Sequence, residues 1–193
     1  MEEFVGEDSA GMSQYYDLLE RDLEPDQLKK GMRRLIKKDP MFFDPYLELA
    51  DILEEEGNHE EARKLLKDAY VKAVRLISDR NGNWPKALDW GFLENRHIIR
   101  AIARWAHELW GEGRPELALE IYRRLLKSNP NDNIGARYEI LAIRMGYNSN
   151  YSEKLFSGIG PGFVDADKSD EWFEKNARKF PEEFEWWFKE VGE

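Results

Sequence analysis

The chain has 193 residues, no cysteine, and 39 acidic against 29 basic side chains, for a formal charge of -10. That length suits one domain with its own core. The missing thiols exclude disulfide frameworks, thiolate metal sites and cysteine nucleophiles, and the negative field argues against nucleic acid as a partner.

Residues 1–13 are acidic and carry Gly6 and Gly11, so they are expected to form a mobile tail. Four carboxylates and no Lys or Arg within Met1–Ala10 make a poor targeting signal. No apolar run approaches the roughly 18 residues that span a bilayer. The expectation is a cytoplasmic protein with no membrane partner. Helical spacing begins at Tyr15 and Leu18. Leu28, Met32, Leu35 and Ile36 then form one apolar stripe, opposite Lys29, Arg33 and Lys37, and Pro40 ends it.

Asp44-Pro45 reads as a helix start, with Asp44 as cap and Pro45 at the first helical position. Tyr46, Leu49, Ala50 and Leu53 follow, and Gly57 closes that helix. Ala62, Leu66 and Ala69 mark the next, running to about Ile77. An irregular insertion at about 79–94 holds Trp84, Trp90, Phe92 and turn residues. Helicity resumes near Asn95 and stops at Gly111 and Gly113. Pro115 opens another helix, which ends at Asn129-Pro130. One more is expected from Ile134 to Met145. Residues 149–168 read as a loop because of Gly158, Gly160, Pro161 and Gly162. An aromatic tail, 169–193, reads as one kinked helix or two short ones. The fold class is all-α, with helical repeats over 14–148.

Two helix pairs repeat the same spacing. Tyr46, Leu49, Ala50, Leu53, Gly57, Ala62, Leu66 and Ala69 match Ile102, Trp105, Ala106, Leu109, Gly113, Ala118, Tyr122 and Leu125, each 56 positions on. Pro40 and Pro130 stand 90 apart. A period of about 34 residues with one insertion of 22 reconciles both distances. The pattern resembles the tetratricopeptide repeat (TPR) family, and the run Asn129 to Asn133 with Gly135, Arg137 and Tyr138 resembles a stretch of uncharacterised bacterial or archaeal repeat proteins. The resemblance implies a right-handed αα superhelix capped by the C-terminal helix, with a concave groove for peptides or protein segments.

In that register the groove positions are Leu47, Asp51 and Glu54, then Arg100, Ala103, Arg104, His107 and Trp110, then Arg137, Tyr138, Leu141 and Arg144. The peptide-binding set is Arg100, Arg104, His107, Trp110, Arg137, Tyr138 and Arg144, with guanidinium forks for an acidic segment. Arg100 and Arg104 match the basic spacing of the carboxylate-clamp subgroup, but Leu47 and Asp51 replace its Lys and Asn. The plain alternative pairs these arginines with the chain's own glutamates on a solvated surface.

No catalytic, metal or cofactor site is expected. His97 and His107 are ten apart with no partner one turn away. Asp165 to Ser169 begins like a calcium loop but has Asp170 at the glycine position and Asn176 at the last. Gly158 to Gly162 lacks the Lys-Ser/Thr ending of a phosphate loop. The expected function is therefore a non-catalytic scaffold binding a protein or peptide. The alternatives are a hydrolase or transferase with a carboxylate-lined groove, and a structural subunit that forms a homodimer through its aromatic tail.

Overall fold

A computed structural model describes residues 2–157 and 164–192. The expectation for Gly158 to Gly162 lies outside the described residues. The chain is all-α, as the periodicity predicts, and it divides into two compact units, Met1–Trp105 and Ala106–Glu193.

The first unit contains α1 (Met12–Leu19), α2 (Pro25–Lys38), α3 (Asp44–Glu55), α4 (His59–Ile77) and most of α5 (Leu93–Gly111). Pro25 sits in the first turn of α2, where its missing N–H costs no helical bond. α3 packs on both α2 and α4. Small Ala50, Ala62, Ala69 and Ala73 are fully buried and let the α3–α4 hairpin close tightly, while Phe42, Phe43, Tyr46 and Leu66 fill the core around it. The insertion stays irregular. Asp79 folds it by accepting from the backbone N–H groups of Asn81 and Asn83.

Two local expectations are corrected here. Asp44 is the first helical residue, not a side-chain cap; Phe43 precedes it as the cap position, with no side-chain bond. The Asp44 carboxylate instead faces Arg100. Residues of the expected mobile tail are pinned: Phe4 N–H donates to Ala87 O, Ala87 N–H to Glu2 O, and Ser9 Oγ to Asp39.

The second unit holds the end of α5, α6 (Pro115–Ser128), α7 (Ala136–Arg144), α8 (Tyr151–Leu155), α9 (Ala166–Ala177) and α10 (Pro181–Val191). The short α8 and the start of α9 fall inside the expected loop 149–168. The tail is two helices, because Pro181 starts a new one directly after Phe180. α7 packs against α6 and α9. Phe173, Phe184 and Trp187 are buried, and the Trp187 indole donates to Pro130 O at 2.8 Å. These three aromatics belong to the core of their unit, while Trp172, Phe180, Trp186 and Phe188 are half-buried.

The 56-residue offset is real at the level of turns. Gly57 and Gly113 both take the left-handed conformation, and the same paired bonds close each helix: Gly57 to Glu54 and Asn58 to Leu53, then Gly113 to Trp110 and Arg114 to Leu109.

Candidate functional site

Two arginine clusters stand out, one in each unit. In the first, Arg100 and Arg104 lie one turn apart on α5 and so share a face. Asp44, Asp51 and Glu54 line one face of α3. Arg100 binds Asp44 in a fork, with Nε to Oδ1 at 2.9 Å and Nη2 to Oδ2. The Asp44 side chain is only 6% exposed, so its charge is desolvated and committed to this arginine. Arg100 and Arg96 also sit over the Trp90 ring at 5.6 and 5.5 Å. Arg104 donates to both Glu54 oxygens at 2.7 and 2.6 Å and reaches Asp51 at 3.4 Å. Burial pushes the Asp51 carboxyl up, and Arg104 pulls it back.

In the second unit, Asp132 organises the start of α7. It takes a positive φ of 50°, which short polar side chains tolerate. Its two oxygens accept from Ala136 N at 2.6 Å, Arg137 N at 3.0 Å and Arg137 Nη1 at 3.1 Å. Burial pushes its pKa up to about 6 despite these bonds. Arg137 is thus held from inside by Asp132. Its outer Nη2 reaches Asp170 and the Tyr138 hydroxyl, which also binds Asp170. Its guanidinium lies over the rings of Tyr138, Phe173 and Trp187 at 4.2 to 5.5 Å.

Arg144, two turns along α7, pairs with Glu182 at 2.5 Å and with buried Glu183 at 3.4 Å. Arg123 on α6 forks onto the same Glu183. Beside this pair runs a groove of about 520 Å³ of mixed charge, lined by Arg123, Arg124 and Lys127 and by Glu120, Glu182 and Glu183, with Leu126, Ile140 and Trp186 as its apolar part.

The remaining expected groove residues separate. Trp110 is 4% exposed, donates to Tyr147 O at 3.2 Å and packs on Tyr151; it belongs to the core of its unit, not to an open surface. His107 is exposed, with its ring 6.4 Å from that of Trp110. His97 is buried between Phe42 and Phe43. Its Nδ1 accepts from Phe43 N–H at 3.3 Å, and burial lowers its pKa to about 4.

Sequence reasoning missed Asp132, Arg123, Glu183 and Glu139. Only Asp132 carried a signal, the turn-prone Asn-Asp-Asn run. Glu139 has a sealed Oε2 without a hydrogen-bond partner, and burial, helped by the Asp132 charge, pushes its pKa up to about 8. Asp132 is buried, and Glu139 is half-buried with one sealed oxygen. The Asp132 oxygens accept from the start of α7, and Glu139 Oε2 is closed to solvent. No group of three or more His, Asp or Glu side chains fit to hold a metal occurs among the described residues.

A family model described as "Transcriptional repressor TCF25" matches residues 9–150. That match overturns the expected membership in a bacterial or archaeal TPR family. The spacing that suggested it reflects antiparallel helical hairpins, and small residues at close helix contacts are common to many such hairpins. No curated protein and no solved structure matches the chain. No described helix is long and apolar enough to cross a membrane.

Proposed function

The chain belongs to the Tcf25 family of transcriptional repressors, and from that premise we propose that it acts without catalysis, holding an acidic segment of a partner protein in the service of repression. The observation that carries the proposal is the two-layered pairing of its arginines. Arg137 and Arg144 each bind one nearly buried carboxylate, Asp132 or Glu183, and one exposed carboxylate, Asp170 or Glu182, which are 56% and 54% exposed. The inner carboxylate aims the fork. The outer one is a weak surface partner that a ligand carboxylate can replace. Arg104, between half-buried Glu54 and the exposed Asp51, offers a looser form of this exchange within the first unit. Arg100 does not, because Asp44 is buried, and Trp110 leaves the binding set. His107 and Tyr138 stay in it as flanking contacts. Each unit presents its own arginines, so no particular stacking of the hairpins is needed.

Membership in a repressor family favours the nucleus over the cytoplasm as the working compartment. It also returns DNA-bound assemblies to the partner classes that the net charge argued against, although we assign the contact itself to protein.

The test is fluorescence anisotropy with a labelled acidic peptide panel at low and high salt. Binding should weaken as salt rises and should be lost in Arg137→Glu/Arg144→Glu. Unchanged capture by that variant refutes the proposal, and equal binding of duplex DNA through the same arginines moves the partner class to nucleic acid. Light scattering tests the self-associating alternative.

A further inference from the structure

The first unit carries a second feature, separate from the arginines. Residues 2–6 are held almost entirely through their main chain. Phe4 N–H donates to Ala87 O at 2.9 Å and Ala87 N–H to Glu2 O at 2.9 Å, a short parallel bridge onto the insertion. Asn95 is fully buried at the start of α5. Its Oδ1 accepts from Gly6 N–H at 2.9 Å, while its Nδ2 donates to Phe4 O at 3.0 Å and to Asp89 O at 2.9 Å. One amide side chain thus reads the backbone of two alternate residues of an extended segment, while Ala87 adds the strand-like bonds. That is the way an extended peptide is bound at a sheet edge.

The segment fits the slot by pattern. Glu2 pairs with Lys86 at 2.8 Å. Phe4 is half-buried and Val5 exposed. Gly6 approaches so closely that a Cβ there would meet Glu94 O at 2.7 Å. The hold is also incomplete. Residues 4–9 bridge a cavity of about 270 Å³ whose far wall is Met41, Leu76, His97 and Ile98. The segment lines that space with Phe4 and Val5 but leaves it unfilled, and Val5, Glu7 and Asp8 remain exposed.

We propose that Ala87, Asn95 and Lys86 form a peptide-binding slot for an extended partner segment of the pattern acid-x-aromatic-x-glycine, and that residues 2–6 occupy it in cis as a displaceable competitor. The slot's occupancy lowers its apparent affinity for an incoming peptide by the fraction of molecules in which it is open. This site is independent of the arginine clusters, so its failure and theirs are distinguishable.

The probe is a labelled peptide with the sequence of residues 2–11, titrated into the full-length chain. Gly6→Val should eject the cis segment and bind the peptide at least about tenfold tighter than the unaltered chain does. The same peptide with valine at the glycine position should not bind, and Asn95→Ala added to Gly6→Val should abolish capture. Melting curves establish that each variant is folded. Should Gly6→Val fail to fold, hydrogen exchange on the unaltered chain decides: saturating peptide must deprotect the Gly6 amide. Equal binding by the Gly6→Val and unaltered chains, equal binding of the glycine and valine peptides, or unchanged Gly6 protection overturns the proposal. So does exchange of the segment between two copies as a concentration-dependent dimer, which would make the chain its own occupant.

Discussion

Replacing Glu139 by glutamine should stabilise this protein at neutral pH, against the usual expectation for a buried polar residue. Glu139 Oε2 is sealed and unpaired, and its pKa in the folded state is pushed up to about 8 from an ordinary 4.5. An acid that holds its proton more tightly when folded favours folding at low pH. That advantage is lost as pH climbs from about 4.5 towards 8. At about 1.4 kcal/mol per unit, the loss reaches about 3 kcal/mol at pH 7. Glutamine removes the titration but buries an amide without a guaranteed partner, a cost of about 1 kcal/mol. The net gain at pH 7 is then about 2 kcal/mol, which raises Tm by roughly 4–8 °C for a chain of this size. Asp132 changes stability in the same direction, but its pKa is about 6, so pH 6 to 8 is the window that isolates Glu139. Calorimetry at pH 5, 6, 7 and 8 on both chains is the assay. The two Tm profiles should cross near pH 5 to 6 and diverge above it. Profiles that stay parallel to pH 8 would show that Glu139 ionises at little cost, and the burial reasoning would fail.

On the acid side, His97 should set a second limb. Its pKa is lowered to about 4 from 6.5, so the stability tied to it is complete above 6.5 and falls by about 3 kcal/mol as pH drops to 4; urea midpoints of His97→Gln should lack this limb. Arg100→Leu strands the nearly buried Asp44 and should cost about 3 kcal/mol. Arg104→Leu removes a more exposed pairing with Glu54 and Asp51 and should cost about 1 kcal/mol or less, both measured by chemical denaturation. Gly113→Ala should destabilise by about 1–2 kcal/mol, because φ is +75° there and only backbone strain is at stake. Gly111→Ala, in the last turn of α5 with room for a methyl group, should instead gain about 0.5 kcal/mol.

The paired arginines were legible only as positions. Arg100, Arg104, Arg137 and Arg144 stand out by charge and spacing, as do Asp51 and Glu54 in the same register, but nothing marks Asp44, Asp132 and Glu183 as their buried partners. Asp44 is 56 residues from Arg100, and Glu183 is 60 from Arg123. Asn95 looks like an ordinary helix-start residue, and nothing local announces that its amide clasps Phe4 and Gly6 about 90 residues away. The acidic N-terminus read as a tail because solvated charge and glycine usually mark one, and a main-chain clasp leaves no trace in side-chain pattern. The family was misread for a related reason: alanines at close helix contacts and glycines at turns specify a hairpin, a local geometry that many families share.

What the sequence determined by itself was set by short-range physics. Prolines at the first turn of α2, α6 and α10, left-handed glycines at positions 57, 113 and 146, and apolar stripes at helical spacing decide where helices begin, end and face. Only the tertiary structure decided which charges are spent inward and which face outward. Burial and long-range pairing make a sealed acid of Glu139, a buried partner of Asp132 and an exposed one of Asp170, because desolvation depends on neighbours that the chain order does not place together.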